Sequence, residues 1–457
     1  MKKYEKYKDT TLSWMYSIPA RWHLLSLKFV ATVKFSSVDR HEFDDEIKVS
    51  ICHYPDAYKN EKIDKFSKLS SGTCSKMEEE SFALKQGQVI ITKDSETPDD
   101  IGIPTYVTEN IPNSVCGYHL AILESKDKAF DTRFLFRYLQ SKPVGYYFEI
   151  NSNGVTRFGL GKPTILNLKV PVPPVSEQTQ IASYLDYQTG IIDALISKKE
   201  KLVELLKEKR HAIINEAVTK GLNPAAKMKD SGIEWLGEVP EDWKVTRLRF
   251  LGRCQNGVSQ SGDYFGEGDP FVSYSDVYKN DALPFNVNGL AKSTDSDKEN
   301  YSVVEGDVFF TRTSETIEEI GLSSTCLKTI DNAVFAGFLI RFRPFSDVLK
   351  KEFSRYFFRS LIPRLHFVKE MNLVTRASLS QELLKSLPIC LPSLNEQTAI
   401  ALFLNNQTIT LQESIQKINT AIDKLKEYRQ SIISEAVTGK VDVRDWQPGN
   451  KKMQIAN

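Results

Sequence analysis

Little in this chain points to catalysis or to a membrane. Its 457 residues include only six histidines and six cysteines. The cysteines (Cys52, Cys74, Cys116, Cys254, Cys326, Cys390) stand far apart, with no Cys-x-x-Cys pair and no histidine at zinc-finger spacing. That argues against a disulfide framework or a zinc site and reads as reduced structural thiols. No apolar run approaches the roughly 20 residues a membrane span needs; the best, Val334 to Ile340, is the size of a strand. The opening Met1-Lys2-Lys3-Tyr4-Glu5-Lys6 is charged with no apolar segment behind it, so no signal peptide is expected and the chain reads as cytoplasmic, with no membrane partner. Neither charge sign is in excess: 60 basic residues face 59 acidic ones. A lone DNA-binding module is usually basic, so any grip on DNA should be weak without companions. Phosphate-loop chemistry is missing too, because Gly161-Lys162 runs into Pro163 and Gly159 is followed by Leu160. Asn223-Pro224 continues into Ala225, so the Asn-Pro-Pro-Tyr of an amino-methyltransferase is absent.

What is present is a duplication. Lys8-Asp9, Trp14, Pro19, Trp22 and Leu27-Lys28-Phe29 recur as Lys229-Asp230, Trp235, Pro240, Trp243 and Leu248-Arg249-Phe250, an offset of 221. Tyr54, Asp56, Tyr58, Lys59 and Asn60 recur at 220 as Tyr274, Asp276, Tyr278, Lys279 and Asn280. Gly87 to Lys93 recurs at 219 as Gly306 to Arg312, and Val155-Thr156-Arg157 as Val374-Thr375-Arg376. Glu177-Gln178-Thr179 and Glu216 to Thr219 return as Glu396-Gln397-Thr398 and Glu435 to Thr438. The register drifts by two residues over more than 200, which chance does not produce. Each copy has a first part of short β-rich runs, turns and one or two short helices, followed by a helical part that is far more alike. Two globular domains diverged on one plan, joined to helices that did not, imply two different ligands held by one symmetric frame. The expected organisation is 1–176 as a first recognition domain, 177–221 as a central helical spacer, 222–395 as a second recognition domain, 396–440 as a C-terminal helical spacer and 441–457 as a tail. The fold class is mixed α/β.

Proline-marked strand ends (Pro171, Pro173, Pro174; Pro388, Pro392) precede each helix, with Ser176 and Asn395 at the expected N-cap and Glu177 and Glu396 next. Leu185, Gln188, Ile192, Leu195, Lys199, Leu202, Leu206, Lys209 and Ile213 fall on alternating steps of three and four. Leu404, Gln407, Leu411, Ser414, Ile418, Ala421, Leu425, Tyr428 and Ile432 do the same. These are heptad seams that predict an antiparallel coiled coil, each helix about 39 residues and roughly 58 Å long. Such a pair would relate the halves by a pseudo-twofold axis and set the domains at a fixed spacing. The other reading packs each helix on its own globular domain.

Catalytic signals are poor. Pro98-Asp99 with Glu124-Ser125-Lys126 resembles the paired acids and lysine of a metal-dependent nuclease, but the second half has Ile317-Glu318 and Arg343-Pro344-Phe345 there, so the pattern is not shared. What repeats is polar and aromatic. Tyr54, Lys59 and Asn60, with Tyr274, Lys279 and Asn280, lie in one turn-like stretch that is either a structural loop or a DNA contact. Thr92-Lys93 and Thr311-Arg312-Thr313-Ser314, at strand ends, offer hydroxyls and a cation at a loop mouth, as do Thr156-Arg157 and Thr375-Arg376. These are the candidate DNA-binding residues; no catalytic, cofactor or metal residue is expected. The Gly-rich loop Asn256 to Tyr264 suits close approach to a backbone or serves as a plain surface loop.

At this point the chain resembles the specificity subunit of type I restriction-modification systems, along essentially its whole length. The resemblance is carried by Lys229, Gly232 to Gly237, Pro240 and Trp243, the Gly306 to Arg312 strand, Pro173 with Glu177-Gln178, Pro392 with Glu396-Gln397, and Arg210, Ile213-Ile214 and Glu216 to Gly221. The first copy departs from the opening pattern, reading Thr11-Leu12-Ser13-Trp14-Met15 where the second reads Gly232 to Gly237, and Lys93 stands opposite Arg312. The resemblance implies a non-catalytic DNA-binding subunit with two target-recognition domains, each reading half of an asymmetric bipartite site in double-stranded DNA. It implies two methyltransferase subunits and restriction (motor-nuclease) subunits as partners. S-adenosylmethionine, ATP and magnesium then belong to those partners, and this chain carries no cofactor. Two other classes remain: a coiled-coil assembly adaptor without DNA readout, and a self-contained nuclease or methyltransferase.

Overall fold

The computed structural model describes residues 2–449 except 128, 315–318, 346–347 and 371–376. The chain divides into two compact units, Met1–Lys199 with Thr420–Asn457, and Glu200–Asn419. Each unit owns one mixed α/β domain and a stretch of both long helices.

The first unit is built on a five-stranded sheet in the order Ala31–Phe35, Leu120–Ser125, Val89–Thr92, Pro104–Val107, Lys62–Ile63. All but the last pairing are antiparallel. Val89–Thr92 is buried along its whole length, as its unbroken β-branched run requires for a central strand covered on both faces. The second unit repeats the plan as Gly252–Asn256, Leu339–Pro344, Val308–Thr311, Ser323–Thr325. There the fifth position is reduced to a single parallel bridge between Ala282 and Thr325. Its core gathers Trp243, Phe310, Ile340, Phe342, Phe353 and Phe357 with Ile214, Val218, Ile400 and Leu404 of the long helices. Five of the six cysteines are buried, Cys254 is half-buried, and all are free thiols.

The long helices run over Val175–Lys220 and Leu394–Val437, 46 and 44 residues, or about 69 and 66 Å at 1.5 Å per residue. Both exceed the expected length, in part because each begins two residues earlier. Glu177 N donates to Pro174 O at 2.9 Å, which puts Ser176 inside the first turn. In the second helix the cap is Ser393, whose hydroxyl accepts from Glu396 N at 3.3 Å, and Asn395 is also inside. Within each unit the helices pair antiparallel. In the first unit Arg429 donates to Asp193 at 2.7 Å, while earlier Gln180 donates to Trp446 O at 2.5 Å. In the second, Gly221 at the end of one helix lies against Glu396 at the start of the other.

The seams differ from the expected ones in the same way in both helices. Leu185, Ile192, Leu404, Leu411 and Ile432 are buried as expected. The intervening positions move one residue on: Thr189, Ile196 and Val203 replace Gln188, Leu195 and Leu202, and Thr408, Ile415 and Ile422 replace Gln407, Ser414 and Ala421. Lys209 is exposed and Arg210 half-buried, whereas Tyr428 and Arg429 are both half-buried. At Ile196, Val203, Ile415 and Ile422 the shift brings β-branched apolar side chains into the seam, and elsewhere polar groups enter it with partners from the globular domain. Arg137 donates to Thr189 Oγ1 at 3.1 Å, Arg210 pairs with Asp281 at 3.4 Å, and Arg429 with Glu61.

The repeated Glu-Gln pairs fasten domain to helix. Trp22 Nε1 donates to Glu177 at 3.0 Å and Trp243 Nε1 to Glu396 at 2.9 Å. Gln178 bridges Pro173 O and Asp131 N, and Gln397 bridges Pro392 O and Lys350 N. Each tryptophan is also covered by the glycine ending the opposite helix. Gly439 and Gly221 have φ of 72° and 75°, and a Cβ on Gly439 would stand 2.3 Å from Pro19 Cδ, so only glycine fits.

Candidate nucleic-acid interface

In the first unit the central strand ends at Thr92, and the chain is clamped at Lys93. Lys93 N donates to His119 O at 3.0 Å and Leu160 N to Lys93 O at 2.8 Å. Asp94–Ser95 then pairs with Phe158–Gly159, which with Asn153–Gly154 forms a hairpin whose tip is Val155, Thr156 and Arg157. All three tip residues are exposed, Val155 at 91 %. The stretch expected to be turn-like is a six-residue helix, Tyr54–Lys59, with His53 N donating to Asp56 at 2.8 Å. Four-residue spacing stacks the Tyr54 and Tyr58 rings with centroids 5.5 Å apart. Strand end, hairpin and helix thus form one mouth: Tyr54 bonds Ser95, and Tyr58 bonds Asp100. That carboxylate bond pushes the Tyr58 hydroxyl up to about 12.

The second unit builds the same mouth with other side chains. Arg312 N donates to Phe338 O at 2.9 Å, Leu379 N to Arg312 O at 2.7 Å, and Thr313–Ser314 pairs with Ala377–Ser378. The helix Tyr274–Lys279 stacks Tyr274 on Tyr278 at 5.9 Å. Tyr274 donates to Thr313 O at 2.9 Å and Tyr278 to Glu319 at 2.7 Å.

The expected site residues therefore sort into groups. Thr156, Arg157, Lys59 and Lys279 are exposed, and Arg312 and Thr313 are half-buried at the mouth. Thr92 and Thr311 have no exposed surface and cannot reach a ligand; Thr92 Oγ1 accepts from Ile103 N at 3.0 Å. Asn60 and Asn280 donate to the carbonyls of Asp56 and Asp276 at 2.8 Å and so close their helices. Tyr54 and Tyr274 are half-buried supports, and Ser314 is buried beneath the mouth. Lys93 is no free cation: its Nζ lies 2.9 Å from Asp94 and 5.6 and 5.8 Å from the Phe35 and Tyr118 rings. Thr375 and Arg376 lie outside the described residues.

Several mouth residues escaped the sequence reading. Asp94 accepts from Lys93 and meets His119 Nδ1 at 2.8 Å. Burial alone would raise the Asp94 carboxyl, but the bonds from His119 and Lys93 outweigh it and hold the group below the ordinary aspartate range. The offset of 219 puts Thr313 opposite Asp94 and Phe338 opposite His119; Phe338 is 66 % exposed. Extending the repeat register past Lys93 would have found both pairs. Chemically, the first mouth offers a carboxylate, cations and phenols, the second a cation, hydroxyls and an exposed ring. Both sets suit phosphate and base-edge contact, and they differ as two readers of different bases would.

The nuclease-like acids do not form a site. Glu124 accepts from Gln88 at 2.8 Å and pairs with Lys34 at 2.9 Å, on the strand end opposite Lys93. Among the described residues no cluster of three or more His, Cys, Asp or Glu is placed to hold a metal ion, and no helix is long and apolar enough to cross a membrane.

The family model described as type I restriction modification DNA specificity domain matches the chain twice, over residues 30–205 and 240–424. The chain is 26 % identical over 339 residues to the type I restriction enzyme EcoBI specificity subunit of Escherichia coli, covering 72 % of this chain and 69 % of that one. It is 28 % identical over 342 residues to the type I restriction enzyme MjaVIII specificity subunit of Methanocaldococcus jannaschii, covering 71 % and 73 %. A chain from a solved structure concerned with complex assembly and conformational transition of the type I R-M system shares the fold. Its TM-score is 0.71 at 17 % identity, over 93 % of this chain and all of that one.

Proposed function

The chain belongs to the type I restriction-modification DNA specificity family, and from that premise we propose that its two units read the two unlike halves of an asymmetric, bipartite duplex site. We assign it no chemistry of its own: two methyltransferase subunits and restriction subunits act on the DNA it selects. S-adenosylmethionine serves the first, and ATP with magnesium serves the second.

The observation that carries this reading is the pair of mouths. The same strand end, turn and tyrosine helix recur in both units, yet the side chains at equivalent places are Asp94 and Thr313, or His119 and Phe338. A shared mount with unlike chemistry fits two different base sequences. Exposed Lys59 and Lys279 would set register on phosphates, while Arg157 and the mouth residues meet base edges. Near-neutral net charge (+1) makes the affinity of the chain alone low and leaves much of the phosphate grip to partners.

The test is to map methylated adenines in the host genome with and without this gene. The expected result is one motif of two short, dissimilar half-sites separated by unread base pairs, lost on deletion. A continuous palindrome, or an unchanged methylation map, would overturn the reading.

A further inference from the structure

In both units one end of the sheet carries the mouth, and the other end carries an exposed phenylalanine. Thr92 pairs with Leu120, and Phe35 with Ala121, at the mouth end; Ala31 pairs with Ser125 at the far end. Phe29 stands just before Ala31 and is 63 % exposed. In the second unit Thr311 pairs with Leu339 at the mouth, and Gly252 with Pro344 at the far end. Phe250 stands just before Gly252 and is 68 % exposed. Five strand residues separate the two ends, about 15 Å.

The surroundings of the two rings are alike. Each lies on a single 3₁₀ turn, Leu27–Phe29 or Leu248–Phe250, whose leucine is fully buried. Lys28 Nζ lies 5.3 Å from the Phe29 ring, and Arg249 is exposed at the matching place. The next strand returns alongside: Lys126 N donates to Val30 O at 3.0 Å, and Phe345 N to Leu251 O at 2.9 Å. Lys126 adds a cation in the first unit, and Arg253, its guanidinium 5.6 Å from the Phe345 ring, adds one in the second.

We propose that Phe29 and Phe250 are matched docking knobs for two copies of one protein subunit, each copy presenting an apolar recess rimmed by carboxylates. The mouths differ between units while this remote end keeps the same leucine, cation and phenylalanine, which fits one ligand met twice and not two different DNA sequences. Its place at the far end of the sheet separates it from the mouth, and the flanking Lys28, Lys126, Arg249 and Arg253 call for acidic groups opposite. The proposal rests on the functional reading above, in which the doubled partner is the methyltransferase subunit.

The test uses the full chain with the methyltransferase subunit, comparing the unaltered protein with Phe29→Ser, Phe250→Ser and the double variant by native mass spectrometry and titration. Exposed positions should leave the melting profile unchanged. Two copies should bind the unaltered chain; each single variant should weaken one of the two sites, by roughly ten- to a hundredfold as expected for losing one buried ring, and the double variant both. Two-copy binding of undiminished affinity by the double variant would overturn this proposal alone, and so would intact assembly with weakened DNA binding. Failure of the unaltered chain to bind any methyltransferase would overturn the functional reading and this proposal with it.

Discussion

The two units do the same mechanical work with side chains that agree in some places and differ in others. Where domain meets helix, identity is kept: Trp22 on Glu177 and Trp243 on Glu396, Gln178 and Gln397. One step away, only the task is kept. Thr189 in the seam is met by Arg137, and its counterpart Thr408 by Tyr356 at 3.3 Å. Lys142 N is capped by Ser434 and the equivalent Leu361 N by Asn215. Beneath the sheet, Gln88 donates to Glu124 in the first unit, whereas in the second a fully buried Asp307 holds Arg343 through two bonds of 2.7 Å. At the mouths the tyrosine helix and its closing asparagine are kept, but at the strand end Asp94 and His119 face Thr313 and Phe338, where neither identity nor task is kept. Divergence is therefore graded: smallest where both units meet the same helices, largest at the strand-end side chains of the mouths.

That grading can be broken by measurement. Trp22→Ala and Trp243→Ala should each destabilise their own unit by about 3–5 kcal/mol, read by hydrogen exchange, which resolves the two units. A clear inequality would mean the shared fastening is not equivalent. Asp307→Ala should cost the second unit about 2–3 kcal/mol, since a charged partner is left behind, moderated because Arg343 is about a third exposed. Gln88→Ala in the first unit should cost about 1 kcal/mol, and equal losses in denaturant titrations would contradict the distinction between ion pair and amide. Arg157→Ala should weaken binding of the first half-site by about 1–2 kcal/mol, with the second half-site unaffected; competition between DNAs altered in one half at a time measures this. The smallest effect is acid sensitivity. Because the folded Asp94 carboxyl lies below its unfolded value, its contribution is present above the unfolded value and lost as pH falls through the folded one. Thr313 occupies that place in the second unit and does not titrate. Hydrogen exchange, corrected for intrinsic rates, should loosen the first mouth alone in acid, and equal loosening would sink the point.

Much of the fold was legible because repetition supplies an internal comparison. The duplicated tryptophans, Glu-Gln pairs and buried strands predicted two like domains and two long helices, and both are present. Both helix starts were misplaced by two residues because the first turn is fixed by Pro174 and Ser393, not by the more obvious Ser176 and Asn395. The seams were misread by one residue because adjacent apolar residues such as Leu195-Ile196 and Leu202-Val203 serve a heptad count equally, while Thr189, Thr408 and Arg429 enter the interface on the strength of partners far away in sequence. At the mouths the repeat marked the right segments but not the right atoms. Thr92 and Thr311 look like ligands in one dimension and are buried in three. His119, Asp94 and Phe338 meet the strand end only through folding.

By itself, then, the sequence determined the duplication, the helical rods and the absence of catalytic patterns, since periodicity and composition are local properties. Only the tertiary structure decided that the chain closes on itself. Residues 420–449 join the first unit, where Val441 and Val443 are buried, Trp446 packs on Tyr184 and Tyr187, and Gly439 covers Trp22. The physical reason is burial: an apolar face has no preference for neighbours near in sequence, and the surface these residues cover was left open by a segment more than 200 residues earlier.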